Sequence, residues 1–411
     1  MTRKFAIKTV MHTCVIAVLY PGPSRASGIY IPEMSNVSES SYAGAGMVAR
    51  ANDAGTVFTN PAGMTRFDDT AAIAGATFVY IHGPIDLNEE KTTVEGNART
   101  VKTFVPAGSA AYLYSVSDRL KLGVSLGNNF GLALDWNADW AGRYSTVKIA
   151  LLAPQLQPTV AYKVNDWLSV GGGAALTMGY LYDKMRVDPV LPNRPDGKLR
   201  ISDADFAVQG NFGIMIEPSE RTRIGLRYLT ETDLNFKDSP DVSGLLVNPN
   251  TPRLDLSMKM PQSVMAGIHH QLNSDWAVLG SLGWEEWSQL GKPKVELVDV
   301  TPSVRVDAGF RDTWHFGVGT EYQYKPKWLL TAGVTYDTSM MTDATGPIDL
   351  PMAALYRYGA GFKYAAREDL TLGAGLTWLY EGSVPFKESG GVAGKYKNVS
   401  ITFLSFYASW H

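Results

Sequence analysis

From about residue 70 to the C-terminus, apolar and polar side chains alternate with a period of two, the mark of β-strands that bury one face in apolar surroundings. In residues 328–337 the even positions are Trp328, Leu330, Ala332, Val334 and Tyr336, and the odd ones are Leu329, Thr331, Gly333, Thr335 and Asp337. Leu370, Leu372, Ala374, Leu376, Trp378 and Tyr380 alternate in the same way with Thr371, Gly373, Gly375, Thr377 and Leu379. Trp314, Phe316, Val318, Tyr322 and Tyr324 stand against His315, Gly317, Gly319, Glu321 and Gln323. One face is lipid-like, the other small or polar.

A soluble β-sandwich also alternates, so the connections decide. Tight polar turns fall at Ser117 to Arg119, Asn165 and Asp166, Ser219 to Arg221, Asn273 to Asp275, Lys325 to Lys327 and Arg367 to Asp369. Five of the six lead directly into Leu120, Trp167, Trp276, Trp328 or Leu370. Longer connections rich in Gly, Pro, Asp and Asn lie near 83–100, 131–142, 188–200, 237–252, 298–304, 341–352 and 385–398. Short turns on one side and long loops on the other, with aromatic residues where strands re-enter, is the pattern of an outer-membrane barrel. Six turns and seven loops give fourteen strands, an even number as a single-chain bacterial barrel requires. The expected strands are about 70–82, 101–116, 119–130, 143–164, 167–187, 201–217, 222–236, 253–272, 276–297, 305–324, 328–340, 354–365, 369–384 and 399–411. The last ends on the aromatic Trp410, followed by one extra residue, His411.

The N-terminus fits an exported protein. Arg3, Lys4 and Lys8 precede an apolar run from Val10 to Tyr20, and Ser24, Arg25, Ala26 supply a small-x-small cleavage site. Residues 1–26 are therefore expected to be a signal peptide, too short in its apolar part to span a bilayer. The single cysteine, Cys14, falls inside it, which excludes a disulfide scaffold or a Cys-metal site in the mature chain. Without Arg3, Lys4, Lys8 and Arg25, 33 of the 37 basic residues remain against 40 acidic ones, a balance that argues against nucleic acid as a partner.

Between the leader and the strands lies a segment of neither periodicity. Residues 27–69 carry Gly44, Gly46, Gly55 and Gly63 and the tripeptide Asn60, Pro61, Ala62. Pro61 fixes φ and pushes Asn60 out of the helical region. Fourteen strands enclose a lumen wide enough to need filling. This segment is the one non-strand piece long enough to fill it. The sequence thus divides into a leader (1–26), a hatch or plug (27–69) and an all-β, fourteen-stranded antiparallel transmembrane β-barrel (70–411). An ordinary N-terminal tail with a turn at Asn60-Pro61 is the alternative for the second part.

Ser27-Gly28 with Tyr30 and Pro32-Glu33, the Gly/Ala-rich run Ala43 to Ala54, and Thr56 to Met64 with Asn60-Pro61-Ala62-Gly63 form a distinctive N-terminal pattern. Asn129-Phe130-Gly131, Trp140 to Tyr144, Pro158 to Val164, Pro261-Gln262-Ser263, Trp284 to Ser288 and Gly309-Phe310-Arg311-Asp312 extend it through the chain. In these features the chain resembles the FadL-type outer-membrane transporters of long-chain fatty acids and related hydrophobic compounds. The resemblance implies a hatch anchored by Asn60, Pro61 and Ala62. It implies a kink in the third strand that opens a lateral route to the membrane, here at Gly127, Asn129, Phe130 and Gly131. A Gly-rich break of that kind is the usual setting of a bulge, and a plain strand end entering a loop is the other reading. The resemblance also makes Ile29 and Tyr30 apolar substrate contacts.

A carboxylate substrate calls for a cation in the lumen. Arg311 is in phase with inward His315, Gly317 and Gly319 and is the candidate. Asp337, inward on the next strand, is placed either to pair with it or to contact the ligand. A second basic residue expected near Tyr180 is absent, which keeps a neutral hydrocarbon open as the substrate.

Catalytic constellations are missing from the pattern. His315 has no nearby serine, and the adjacent pairs His269/His270 and Glu285/Glu286 point to opposite faces of a strand. Gly171-Gly172-Gly173 lies mid-strand rather than before a helix. The expectation is a monomeric, cofactor-free and metal-free transporter in the outer membrane of a Gram-negative bacterium, surrounded by outer-membrane lipid. It would import long-chain fatty acids or similar hydrophobic compounds passively. Alternatives are a channel for neutral aromatic or aliphatic hydrocarbons, a surface adhesin or receptor barrel, and a general porin.

Overall fold

The computed structural model describes residues 31–188, 195–244, 251–298, 304–305, 309–341, 348–349 and 353–411. The leader expected at 1–26, and Ile29 and Tyr30, lie outside them.

Fourteen antiparallel strands close into a barrel: β1 (Ala71–Leu87), β2 (Thr100–Ser115), β3 (Leu120–Asp135), β4 (Lys148–Lys163), β5 (Leu168–Val187), β6 (Gly197–Ser219), β7 (Thr222–Leu229), β8 (Ser263–Gln271), β9 (Trp276–Glu285), β10 (Thr313–Lys325), β11 (Trp328–Asp337), β12 (Leu355–Arg367), β13 (Leu370–Ser389) and β14 (Val392–Trp410). Neighbours in sequence pair, and β1 against β14 closes the ring, with Thr77 opposite Ser405. All six expected tight turns join strands at one end, for example through Val116 N–H donating to the Leu120 carbonyl and Leu272 N–H to that of Trp276. The residue pattern produces closure directly. Leu122, Val124 and Leu126 are exposed outward, where the surroundings are apolar, while their neighbours Lys121 and Ser125 are buried inside. Trp276 stacks on Tyr322 and Trp328 packs on Tyr364 near the turns, as an interfacial aromatic belt requires.

Residues 31–67 occupy the lumen. They form short helical turns at Pro32–Ser35, Val37–Ser41, Met47–Arg50, Thr56–Thr59 and Pro61–Arg66, nearly all buried. The segment enters from the short-turn end, because β1 begins opposite Leu113 near the end of β2 and beside Trp410 at the end of β14.

Three expected strands are broken. Residues 222–236, 253–272 and 276–297 do not run unbroken: each is interrupted as it leaves the barrel, and the far pieces Thr232–Asp238, Leu254–Met260 and Lys294–Leu297 join Val304–Arg305 in a separate four-stranded sheet. Pro261 lacks the N–H that a continued ladder would use. Opposite it, Gln262 bonds Glu286 through both backbone and side chain, and the chain turns into a short helix at Trp287–Leu290. The tenth barrel strand accordingly starts at Thr313, not 305, and β4 starts at Lys148 because Ala141–Tyr144 form a 3-10 turn. The last hairpin is longer than expected, reaching Ser389 and Val392 through a series of register shifts.

Candidate functional site

Asn60 makes the hatch and wall one object. Its extended backbone lets the side-chain oxygen accept from Ala62 N–H (3.2 Å), capping the helical turn at Pro61–Arg66. The amide nitrogen donates to the Val48 carbonyl (2.7 Å) within the hatch and to the Ile214 carbonyl (3.0 Å) of β6. Room for this comes from inward glycines. A Cβ on Gly213 would lie 2.0 Å from Asn60 Oδ1, one on Gly225 1.8 Å from the Val48 carbonyl, and one on Gly171 2.6 Å from the Pro61 carbonyl carbon. The tripeptide Asn60, Pro61, Ala62 is therefore wedged against β5, β6 and β7.

The remaining wall contacts follow from the hatch's lack of regular structure, which leaves backbone carbonyls without partners. Wall side chains donate to them: Thr377 to Ser40 (2.7 Å), Thr335 to Ala43 (3.1 Å), Gln157 to Val57 (3.0 Å) and Asn211 to Phe58 (2.7 Å). Buried charges add a second layer. Arg357 of β12 binds Glu33 of the hatch at 3.1 Å and Asp337 of β11 at 3.0 Å, and His315 Nδ1 lies 2.7 Å from the same aspartate. Lys363 holds Asp53 (3.3 Å), Arg50 pairs with Glu39 inside the hatch, and Glu321 accepts from Tyr42 (2.7 Å) and Asn52 (2.9 Å). Burial pushes the Asp53 carboxyl up, but the Lys363 and Arg50 charges outweigh it and hold the group below the usual carboxylate range.

Above the hatch the inward face changes character. On β13 it reads Gly373, Gly375, Thr377 and then Leu379, Val384 and Phe386, interrupted by Glu381; on β5 it reads Gly171, Gly173, Thr177 and then Leu181, Met185 and Val187, interrupted by Asp183. These upper residues belong to one continuous apolar cluster that includes Met34 of the hatch and Phe130 and Leu134 of β3.

At the side of this cluster the wall is incomplete. The β2–β3 ladder runs from Ser115–Lys121 to Ala110–Leu126 and ends there, although β2 pairs with β1 as far as Thr100 and β3 with β4 as far as Asp135. The cause is a bulge at the expected kink. Between Asn128 and Gly131 three steps on β3 match two on β4, so the buried positions switch from Ser125 to Phe130, Leu132 and Leu134. The hatch turn Pro32–Ser35 sits against it: Ile31 N–H donates to the Asn129 carbonyl (3.4 Å), Val37 N–H to Ser109 Oγ of β2 (3.0 Å), and a Cβ on Gly127 would lie 2.8 Å from the Ser35 carbonyl. Asn129 also reaches Gln209 (3.3 Å), and Phe130 meets Trp287 edge-on. Hatch tip, apolar cluster and wall gap therefore meet at one place.

Arg311 is placed differently from the sequence expectation. It precedes β10, is exposed, and bonds the carbonyls of Met340 through its N–H and Ser339 through Nε. Asp337 pairs with Arg357 and His315 instead. Sequence reasoning passed over Arg357 and Lys363, yet both are in phase with inward Gly359 and Gly361, and an isolated cation on such a face is a usable signal.

Residues 18–405 match the family described as Outer membrane protein transport protein (OMPP1/FadL/TodX). The chain is 26% identical over 388 residues to the Long-chain fatty acid transport protein of Escherichia coli O6:H1, covering 86% of each chain. It is 25% identical over 418 residues to Outer membrane protein P1 of Haemophilus influenzae, covering 90% of each. In fold it is similar to a Pseudomonas aeruginosa FadL homologue, with a TM-score of 0.80 at 18% identity over 93% of this chain and 99% of that one. It is also similar to the Pseudomonas putida toluene transporter TodX, with a TM-score of 0.67 at 14% identity over 90% and 99%. The match runs through hatch and barrel alike, and the chain belongs to the outer membrane protein transport family (OMPP1/FadL/TodX), whose place is the Gram-negative outer membrane.

Proposed function

We propose that the protein carries long-chain fatty acids or similar hydrophobic compounds passively across the outer membrane as a monomer, without converting them. The substrate enters the upper chamber from outside, is held there by apolar contact, and leaves sideways through the β2–β3 gap into the membrane while the hatch blocks the direct path below. The observation that carries this reading is the junction of an apolar cluster inside the barrel, a polar floor formed by the hatch and an unpaired stretch of wall. An alkyl chain gains about 0.8 kcal/mol for each CH2 buried in such a chamber, whereas a sugar or peptide would leave polar groups unpaired there. Asn60, Pro61 and Ala62 act as the hatch anchor, and Gly127, Asn129, Phe130 and Gly131 shape the exit.

Within this reading a neutral aromatic or aliphatic hydrocarbon is the second substrate class, kept open by one observation. Arg311 is outside the chamber, and Arg357 at its floor already holds two carboxylates. Uptake of radiolabelled long-chain fatty acid and of toluene by cells with and without the gene tests both versions. Loss of either uptake on deletion is expected; if both persist, the transport reading fails.

A further inference from the structure

Beneath the apolar cluster, the inward faces of β3, β4 and β6 carry a row of side-chain amides. Asn129, Gln155, Gln209 and Asn211 are all buried, none more than 3% exposed. Asn129 belongs to the bulge and precedes Phe130 of the cluster; Gln155 stands one inward step from Ala153, another member. Asn211 is one inward step beyond Gln209, toward the hatch.

Backbone carbonyls fix how these amides are turned. Gln209 Nε2 donates to the Thr230 carbonyl (2.9 Å), which leaves Gln209 Oε1 to accept. Asn129 Nδ2 (3.3 Å) and Gln155 Nε2 (3.0 Å) both donate to that one oxygen, and Gln155 Nε2 also donates to Thr177 Oγ1 (2.8 Å). Asn211 Nδ2 donates to the hatch carbonyl of Phe58 (2.7 Å) and to Gln157 Oε1 (3.1 Å). Turning Asn129, Gln155 or Asn211 over would set oxygen against oxygen. The nitrogens are thus committed to wall and hatch, and Asn129 Oδ1, Gln155 Oε1 and Asn211 Oδ1 are buried without a partner. An acceptor withdrawn from water is unfavourable until a donor reaches it. A saturated chain brings no donor, a carboxylate brings only further acceptors, and a hydroxyl brings one O–H.

We propose that this row is a head-group subsite that selects apolar molecules ending in a hydroxyl over the corresponding hydrocarbon and carboxylate. The tail lies in the apolar cluster and the O–H donates to Gln155 Oε1 or Asn129 Oδ1, with Asn211 Oδ1 one step nearer the hatch. The site is on the lumen side of the bulge, so a molecule held there is beside the β2–β3 gap and leaves it open. The inference rests on the transport reading and narrows its substrate class. A competing feature is Arg227 of β7, buried over the Phe58 ring at 5.7 Å, which would favour a carboxylate instead.

The test uses the full mature chain purified in mild detergent and equilibrium binding of four radiolabelled ligands at pH 8: dodecane, 1-dodecanol, dodecyl methyl ether and dodecanoate. The ether keeps an oxygen but has no O–H to donate, so it separates donation from polarity without any variant. Dodecanol should bind roughly tenfold more tightly than the ether and than dodecanoate, the size of one well-made hydrogen bond. In Gln155→Met, similar in shape but without the acceptor, that preference should fall severalfold, and comparing variant with wild type cancels the ligands' different partition into micelles. Heat-modifiable electrophoretic mobility verifies that the variant is a closed barrel. Ether bound as tightly as dodecanol, or a preference unchanged in Gln155→Met, would overturn the proposal. Dodecanoate bound as tightly as dodecanol would overturn it in favour of Arg227. Dodecane bound without any preference for the alcohol overturns this inference alone, whereas binding of none of the four overturns the transport reading with it.

Discussion

Below the level of Thr77 and Thr377 the wall meets the hatch with glycine, hydroxyl and amide side chains and a small apolar cluster that includes Ile73 and Leu113; above it Leu181, Leu379, Val384 and Phe386 dominate, with Arg357 and Asp337 at the boundary. β5 and β6 pair without interruption through this boundary, so a change in side chains alone suffices to separate the two regions there. What differs is what each must meet. The lower wall faces an irregular chain with many unpaired carbonyls and must supply donors and space. The upper wall gathers into one apolar cluster and offers hydrocarbon surface. In the proposed path a floor that binds protein backbone meets an apolar cluster, with the β2–β3 gap at the seam.

The largest expected effect is at the floor. Arg357→Ala leaves Glu33 and Asp337 as buried carboxylates without their cation, and removal of one partner of such a pair costs about 3–5 kcal/mol. Hydrogen exchange should show residues 32–41 losing protection while barrel amides keep theirs; unchanged protection would mean that the floor is held elsewhere. Asn60→Ala removes the donor to two carbonyls and should cost about 1–3 kcal/mol, with lowered uptake and intact heat-modifiability. Loss of the barrel in that variant would make the motif purely architectural. In the chamber, Leu379→Asn should weaken retention of bound hydrocarbon by roughly tenfold, equivalent to about 1.4 kcal/mol, as measured by mass spectrometry of the purified protein. The same measurement on Thr377→Val, one inward step below, should show little change. Equal losses would erase the boundary.

The smallest effect is one of pH. Asp53 titrates lower in the folded protein than its ordinary value of about 3.9, so its contribution is complete above that value and is lost as pH falls through the folded one. Hatch protection due to the Asp53–Lys363 pair should therefore be flat from pH 8 to 5 and decline only in stronger acid. A decline between pH 7 and 5 would point to a different group.

Strand alternation, six turns and the position of residues 27–69 carry the fold in the sequence because each reflects a local rule: period two, turn chemistry and a length that suits the lumen. The bulge was legible for the same reason, as Gly127 to Gly131 break the alternation locally. The second sheet was not. Period two continues through residues 222–236, and the break there depends on Pro261 and on the contact of Gln262 with Glu286, which is distant in sequence. Arg311 was misplaced by extending the phase of β10 beyond Thr313, where its backbone already turns to Met340. No local rule marks the acids Glu33, Glu39 and Asp53 as buried, because their partners Arg357 and Lys363 come from distant strands and Arg50 from another turn of the hatch.

Deletion of Asn129 bears most directly on the seam. Removing that one residue cancels the bulge, restores the register of β3 on β4 and lets the edges of residues 100–109 and 130–135 pair. Uptake of labelled fatty acid and toluene should then be abolished, with bound hydrocarbon still retained in the chamber and new hydrogen-exchange protection along both edges. Full uptake by a barrel whose β2–β3 ladder is shown to have closed would contradict lateral exit.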